Sequence, residues 1–191
     1  MNEQLPYQAT AAAERYDGIT QLPVAILLDD IRSLYNVGSF FRTSDAVGIE
    51  KLYLSGYTGT PPHKGLTKTA LGAEETVPWE HTADAVSVVE RLRGSGWEIC
   101  AIETSVHSVD LFEWVPRFPV LVMFGNECEG LAPALGALAD RHIRIPMLGK
   151  KHSLNVGTAG GVVMYELLRK YHGLFGKPTG HGPALLNMLD A

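Results

Sequence analysis

Apolar positions along this chain follow two alternating rhythms. Short runs with few polar residues have strand length: VAILLDDI at 24–31, KLYLSG at 51–56, WEICAIET at 97–104, PVLVMFG at 119–125 and HIRIPM at 142–147. Between them lie stretches with helical spacing. One runs from about Val37 to Val47, and ADAVSVVERLRGSG places Ala85, Val88, Val89 and Leu92 on one face before stopping at glycines. Further helices are expected at 132–140 and 153–172, and a loop rich in Gly, Pro and Thr at 57–78. Apolar strands separated by helices predict an α/β fold with a mostly parallel sheet covered on both faces. Nothing repeats and no second domain is visible. A single domain over 1–191 is expected, with its core at about 24–170 and peripheral stretches at 1–22 and 173–191.

Composition changes this picture little. The chain has 191 residues, 46% hydrophobic and 19% charged, which suits one globular domain with a substantial core. No apolar run reaches the length of a membrane span, and MNEQLPYQATAAAERYDG lacks the basic and apolar regions of a signal peptide. A cytoplasmic protein is therefore expected. Cys100 lies in an apolar run, which argues against a disulfide with Cys128, and no Cys/His spacing suggests a metal site. Sixteen basic against twenty-one acidic residues give a net charge of −5. That weighs mildly against nucleic acid, but a local basic patch suffices. HKGLTK at 63–68 and GKKH at 149–152, with Arg169 and Lys170, are candidates; the plain alternative is loops and helix ends kept soluble by lysines.

Ligands of open parallel sheets bind at the carboxyl ends of the strands, which directs attention to the loops near Asp30, Thr104, Gly125 and Met147. Three stretches there are chemically unusual. In YNVGSFFRTSDAVG (35–48), Asn36 is placed to cap a helix, and Gly38 leaves open the face on which Arg42 follows one turn later. The alternative is a surface arginine paired with an acid such as Asp45. In LVMFGNECEGL (121–131), a buried strand runs into Gly125, Glu127 and Gly130. That spacing matches neither the dinucleotide fingerprint nor a P-loop. Glu127 is placed to accept from backbone amides or a ligand amine, or simply to cap a turn. Cys128 has no histidine in a recognisable catalytic arrangement with it.

The third stretch, SLNVGTAGGVVMYELLRK (153–170), opens with Ser153 as the expected N-cap and Asn155 in the first turn. Val156, Ala159, Val163 and Leu167 form one stripe; Gly157, Gly161, Met164 and Leu168 form a second beside it. A helix apolar on adjoining faces needs cover on both. Gly157, Gly160 and Gly161 each cost about 0.8–1 kcal/mol in a helix interior, so a close backbone approach is expected there.

In this order the three stretches resemble the motifs of the SpoU/TrmH class of RNA 2′-O-methyltransferases (the SPOUT superfamily). Motif one is similar to Asn36-x-Gly38-x-x-x-Arg42-Thr43, and motif two to Gly125-Asn126-Glu127-x-x-Gly130-Leu131. Motif three is similar to Ile145-Pro146-Met147 followed by Ser153-Leu154-Asn155-Val156 and a small-residue helix. Gly157-Thr158-Ala159-Gly160 departs from the Ser-Val-Ala that often follows in the family.

The resemblance implies an α/β knot, with the C-terminal segment threaded into a deep trefoil knot against the usual rule of unthreaded chains. It implies S-adenosyl-L-methionine as cofactor, held at Thr104, Gly125, Ile145, Met147 and Leu154, with no metal. It also implies a homodimer and a catalytic set of Asn36, Arg42, Glu127, Ser153 and Asn155 acting on RNA. With about 23 residues before the first strand, no separate RNA-binding domain is expected at that end, which favours tRNA over rRNA. Two other readings compete. One is a catalytically silent knotted module that binds RNA or protein; the other is a small-molecule enzyme with a nucleotide cofactor, disfavoured by the missing fingerprint.

Overall fold

The computed structural model describes residues 19–105 and 107–175, so most of the stretches expected to be peripheral lie outside the described residues. The chain alternates β1 (Leu22–Asp29), α1 (Leu34–Val47), β2 (Ile49–Ser55), α2 (Lys64–Ala70), α3 (Ala73–Thr76), β3 (Trp79–Thr82) and α4 (Ala85–Gly94). It continues with β4 (Glu98–Ile102), β5 (Val109–Asp110), β6 (Val120–Phe124), α5 (Pro133–Ala137), β7 (Arg141–Arg144) and α6 (Val156–Phe175). The strands form one sheet in the order β3-β2-β1-β6-β4-β7-β5, and every strand pairing is parallel.

Alternation along the strands explains the unbroken apolar runs. Val24, Ile26 and Leu28 of β1, with Val120, Val122 and Phe124 of β6, face α1, α2 and α6. Their neighbours Ala25, Leu27, Leu121 and Met123 face α4 and Leu135 of α5. Both faces are covered, so the central strands are apolar except at their ends, where Asp29 of β1 and Glu98 of β4 are buried.

The expected loop at 57–78 instead contains α2 and α3, which close the α1 side of the sheet. A Cβ on Gly38 would lie 2.5 Å from the Leu66 carbonyl oxygen and 2.5 Å from Thr69 Oγ1. The bare face of α1 is thus filled by α2 and is no ligand opening. Helical periodicity in 64–76 was hidden because only Leu66, Ala70 and Ala73 of those elements are buried. Strands β3 and β5 are edge strands of four and two residues, too short to show a period.

Helix α6 lays its glycine backbone against side chains of α1. A Cβ on Gly160 would sit 2.3 Å from the Phe40 ring, which itself stands edge-on to Phe124 at 5.0 Å. Gly157 approaches Ser39 Cβ and Asn36 Oδ1, each 3.4 Å from its would-be Cβ. Gly161 differs, with nothing within 4 Å. Two of the three glycines therefore serve a close approach within this chain, and the third faces open space. Lys170 and Arg169 are not a free basic patch. Arg169 pairs with Glu166 through both carboxylate oxygens, 2.7 and 2.8 Å. Lys170, only 10% exposed, donates to the carbonyls of Leu111, at 2.7 Å, and Trp114. It fastens α6 to the turn after β5. Among the described residues no helix is long and apolar enough to cross a membrane.

Candidate active site

The carboxyl ends of β4, β6 and β7 open into a cleft of about 270 Å³. Thr104, Gly125, Ile145, Met147 and Leu154 all line it, as do Glu127, Ser153 and Asn155. Its floor is apolar, from Ile102, Phe124, Ile143, Val156 and Ala159; its rim carries Glu103, Asn126 and Arg144.

The geometry begins at the entry to α1. Ser33, not Asn36, is the N-cap, and its side chain accepts from the Asn36 N–H at 3.3 Å. Asn36 lies one turn in and is buried, with its amide turned to other loops. The Glu127 carboxylate accepts from the backbone N–H groups of Arg32 at 2.9 Å and Ser33 at 3.1 Å, and from Asn36 Nδ2 at 2.8 Å. It thereby satisfies the N–H of the N-cap residue, which a helix start leaves without a partner, and the N–H just before it. Asn36 Oδ1 in turn accepts from Asn155 Nδ2 at 3.1 Å. Asn155 Oδ1 accepts from Thr158 N–H at 3.2 Å, so Asn155 rather than Ser153 caps α6. One directed chain, Asn155 to Asn36 to Glu127, thus ties the three unusual stretches together.

Partial burial pushes the Glu127 carboxyl upward, but hydrogen bonds from the Arg32 N–H, the Asn36 amide, its own N–H and the Ser33 N–H outweigh it. The group is held below its ordinary range. A carboxyl depressed in the folded state contributes stability above its unfolded value and loses it as pH falls through the folded one. The wild type should therefore lose stability from about pH 4.3 downward, and Glu127→Gln should lose that part of the slope. Urea midpoints across the acid range check this; superimposable pH slopes for the two proteins would refute it.

Gly125 cannot be another residue. Its Cβ would fall 2.1 Å from Leu131 N and 2.2 Å from Gly130 C, where the loop doubles back through the Asn126–Gly130 bridge. Asn126, quoted only as part of a motif at the outset, is the hub of this loop. Its Oδ1 accepts from the N–H groups of Cys128 and Glu129, at 2.8 and 3.0 Å. Its Nδ2 donates to the Asp30 carbonyl at 2.8 Å and to the Tyr57 hydroxyl at 2.5 Å. Cys128 is exposed and receives a hydrogen bond from Arg32 Nη1 at 3.4 Å, and among the described residues no histidine is hydrogen-bonded to it.

Two of the expected residues stand apart from this network. Ser153 is exposed and its hydroxyl makes no hydrogen bond among the described residues. Arg42 is exposed, about 9 Å further along α1 than Asn36. It does not line the cleft. It is not paired with Asp45 either, whose carboxylate accepts from Thr76 Oγ1 at 2.7 Å. Among the described residues no three His, Cys, Asp or Glu side chains gather as a metal site would require.

A parallel sheet whose strand ends form a cleft, closed by a polar chain joining three loops, defines an α/β domain built to hold a small ligand. The chain matches the model of the SpoU rRNA Methylase family over residues 23–165 and belongs to that family. It is 30% identical over 163 residues to the tRNA (guanosine(18)-2′-O)-methyltransferase of Aquifex aeolicus, an alignment covering 83% of this chain and 76% of that one. The crystal structure of an A. aeolicus TrmH/SpoU tRNA modifying enzyme superposes with a TM-score of 0.73 at 29% identity, covering 83% and 81% of the two chains. The SpoU methyltransferase AviRb of Streptomyces viridochromogenes, in complex with AdoMet, gives 0.72 at 27% identity over 78% and 60%. The chain spans 60% of the length of the staphylococcal TrmH family tRNA/rRNA methyltransferases that it also matches.

Proposed function

We propose that this chain is an S-adenosylmethionine-dependent RNA ribose 2′-O-methyltransferase that works as a homodimer, on tRNA rather than rRNA. A single domain over 1–191 with the C-terminal segment knotted through the cofactor loops is part of the same reading. The observation that carries it is the amide chain from Asn155 through Asn36 to Glu127, set beside a cleft lined by Thr104, Gly125, Ile145, Met147 and Leu154. The cleft fits the cofactor chemically. It has an apolar floor for a flat ring, and two carboxylates, Glu103 and Glu127, line it and suit a cationic, hydroxyl-bearing ligand. Preference for tRNA rests on the Aquifex aeolicus relative.

The cofactor, when bound, supplies an electrophilic methyl group. The chain's task is to align the ribose hydroxyl and accept its charge. Glu127 is saturated with hydrogen bonds and holds the loops; it is not the base. Arginine, with a pKa above about 12, cannot be the base either. Arg42 clamps a neighbouring phosphate in its planar fork, and a phosphate oxygen takes the hydroxyl proton. The free Ser153 hydroxyl orients the ribose.

Arg42 serves the cleft of the second copy. It lies outside the cleft of its own chain, and both helices keep exposed positions: on α1 Tyr35 is 57% exposed, and on α6 Tyr165 is 55% exposed with open space beside Gly161. An apolar helix face of this kind needs a partner.

Radiolabelled methyl transfer by the purified protein to tRNA and rRNA from cells lacking it tests the reading. Label in tRNA ribose is the expected result. Binding of S-adenosylhomocysteine and RNA without transfer would establish the silent module instead.

A further inference from the structure

We propose that Glu103 recognises the ribose diol of the cofactor's adenosine; this deepens, and rests on, the methyltransferase reading. Glu103 immediately follows β4, and its backbone N–H donates to the Ile143 carbonyl at 3.0 Å, so the residue is fixed on the sheet. Its side chain lines the cofactor cleft. Only the neighbouring Thr104 N–H reaches the carboxylate, at Oε1 and 3.2 Å; no ion pair involves it among the described residues. The other oxygen, Oε2, faces Gly130, 3.2 Å from where a Cβ would stand. Glycine there keeps bare backbone opposite the carboxylate. The result is a half-buried acceptor in a ligand cleft with spare capacity and, among the described residues, a single backbone donor.

The strand order says which part of the ligand comes to it. Strand β4 lies between β6 and β7. The loop after β6 carries Glu127, joined to the catalytic set, and the stretch after β7 carries Ile145 and Met147. The sulfonium would lie toward the first, beside the catalytic set, and the adenine ring toward the apolar second. The ribose joins the two, so its hydroxyls fall at the end of β4, roughly one strand spacing of 4.8 Å from either neighbour. A vicinal diol offers two adjacent O–H donors to one carboxylate. In unrelated nucleotide-binding folds an acidic residue at a strand end takes the same role.

The test is calorimetric and needs no RNA. S-adenosylhomocysteine, its 2′-deoxy and 3′-deoxy analogues and an analogue lacking the α-amine are titrated into wild type, Glu103→Ala and Glu103→Gln. Wild type should lose about 10–100-fold in affinity with either deoxy analogue, as for a hydrogen bond to a charged group. Glu103→Ala should bind the parent ligand about 10–100-fold more weakly and no longer distinguish the deoxy analogues. Glu103→Gln, which keeps an acceptor oxygen and the fold, should fall between. If the variants lose discrimination for the amine rather than the diol, or discriminate as wild type does, the assignment is overturned while the methyltransferase reading stands. If wild type binds none of these ligands, both fall.

Discussion

Arg42→Ala should lower the methyl-transfer rate by about 10²–10³-fold, the usual cost of removing one preorganised charge-stabilising donor. Its stability and its affinity for S-adenosylhomocysteine should match wild type. The separation follows from geometry. Arg42 is exposed and outside the cleft, and among the described residues its removal breaks no hydrogen bond or ion pair. Alanine is also the better helix former, and a change at such a surface position stays within about 0.5 kcal/mol. Arg42→Lys should recover only part of the rate, because an ammonium holds phosphate as a point charge and not as a fork. Copurified heterodimers settle which cleft the arginine serves. Pairing an Arg42→Ala chain with a Ser153→Ala chain should restore activity at one site if the residue acts across the dimer, and at none if it acts in its own chain. A fully active Arg42→Ala homodimer would remove the residue from the mechanism.

Why Arg42 and Asn36 part company in space bears on what a sequence can disclose. Both belong to one short stretch, and periodicity correctly put them on one helix. The start of that helix was misplaced because Asn and Ser are both good caps; only the contacts in space decide, the Ser33 hydroxyl accepting from the Asn36 N–H while the Asn36 amide goes to Glu127. The same ambiguity exchanged Ser153 for Asn155 at the start of α6. Central strands were legible because burial on both faces leaves long apolar runs, as in VAILLDDI. The segment 57–82 was not, since α2, α3 and β3 bury few side chains each and Gly/Pro content masks them. Glu103 left no trace in any pattern: one carboxylate after a strand is meaningful only once the cleft is drawn around it. Lys170 shows the converse. Of the basic pair read as part of a candidate patch, Lys170 proved to be a clasp on the turn after β5, visible only through carbonyls some 56–59 positions away.

The second large effect belongs to Gly125→Ala, in which one added methyl group should weaken cofactor binding by about 10–100-fold. The methyl would meet backbone, at 2.1 Å from Leu131 N and 2.3 Å from Leu131 Cα, and backbone cannot swing aside as a side-chain tip can. The loop must move, at a cost of about 1–3 kcal/mol for overpacking. Movement there carries Asn126 and Glu127 with it, and with them the hydrogen bonds that hold the start of α1. Stability and affinity should therefore fall together, read by urea unfolding and by calorimetry with S-adenosylhomocysteine. Gly161→Ala is the instructive contrast. Nothing lies within 4 Å of its would-be Cβ, so the isolated fold should gain about 0.5–1 kcal/mol from the better helix former. If that face seats a second copy at backbone distance, the same substitution should weaken the dimer in sedimentation. A variant both more stable and equally dimeric would place the interface elsewhere. A Gly125→Ala protein that binds cofactor normally would show that the doubling-back of the loop does not shape the cleft.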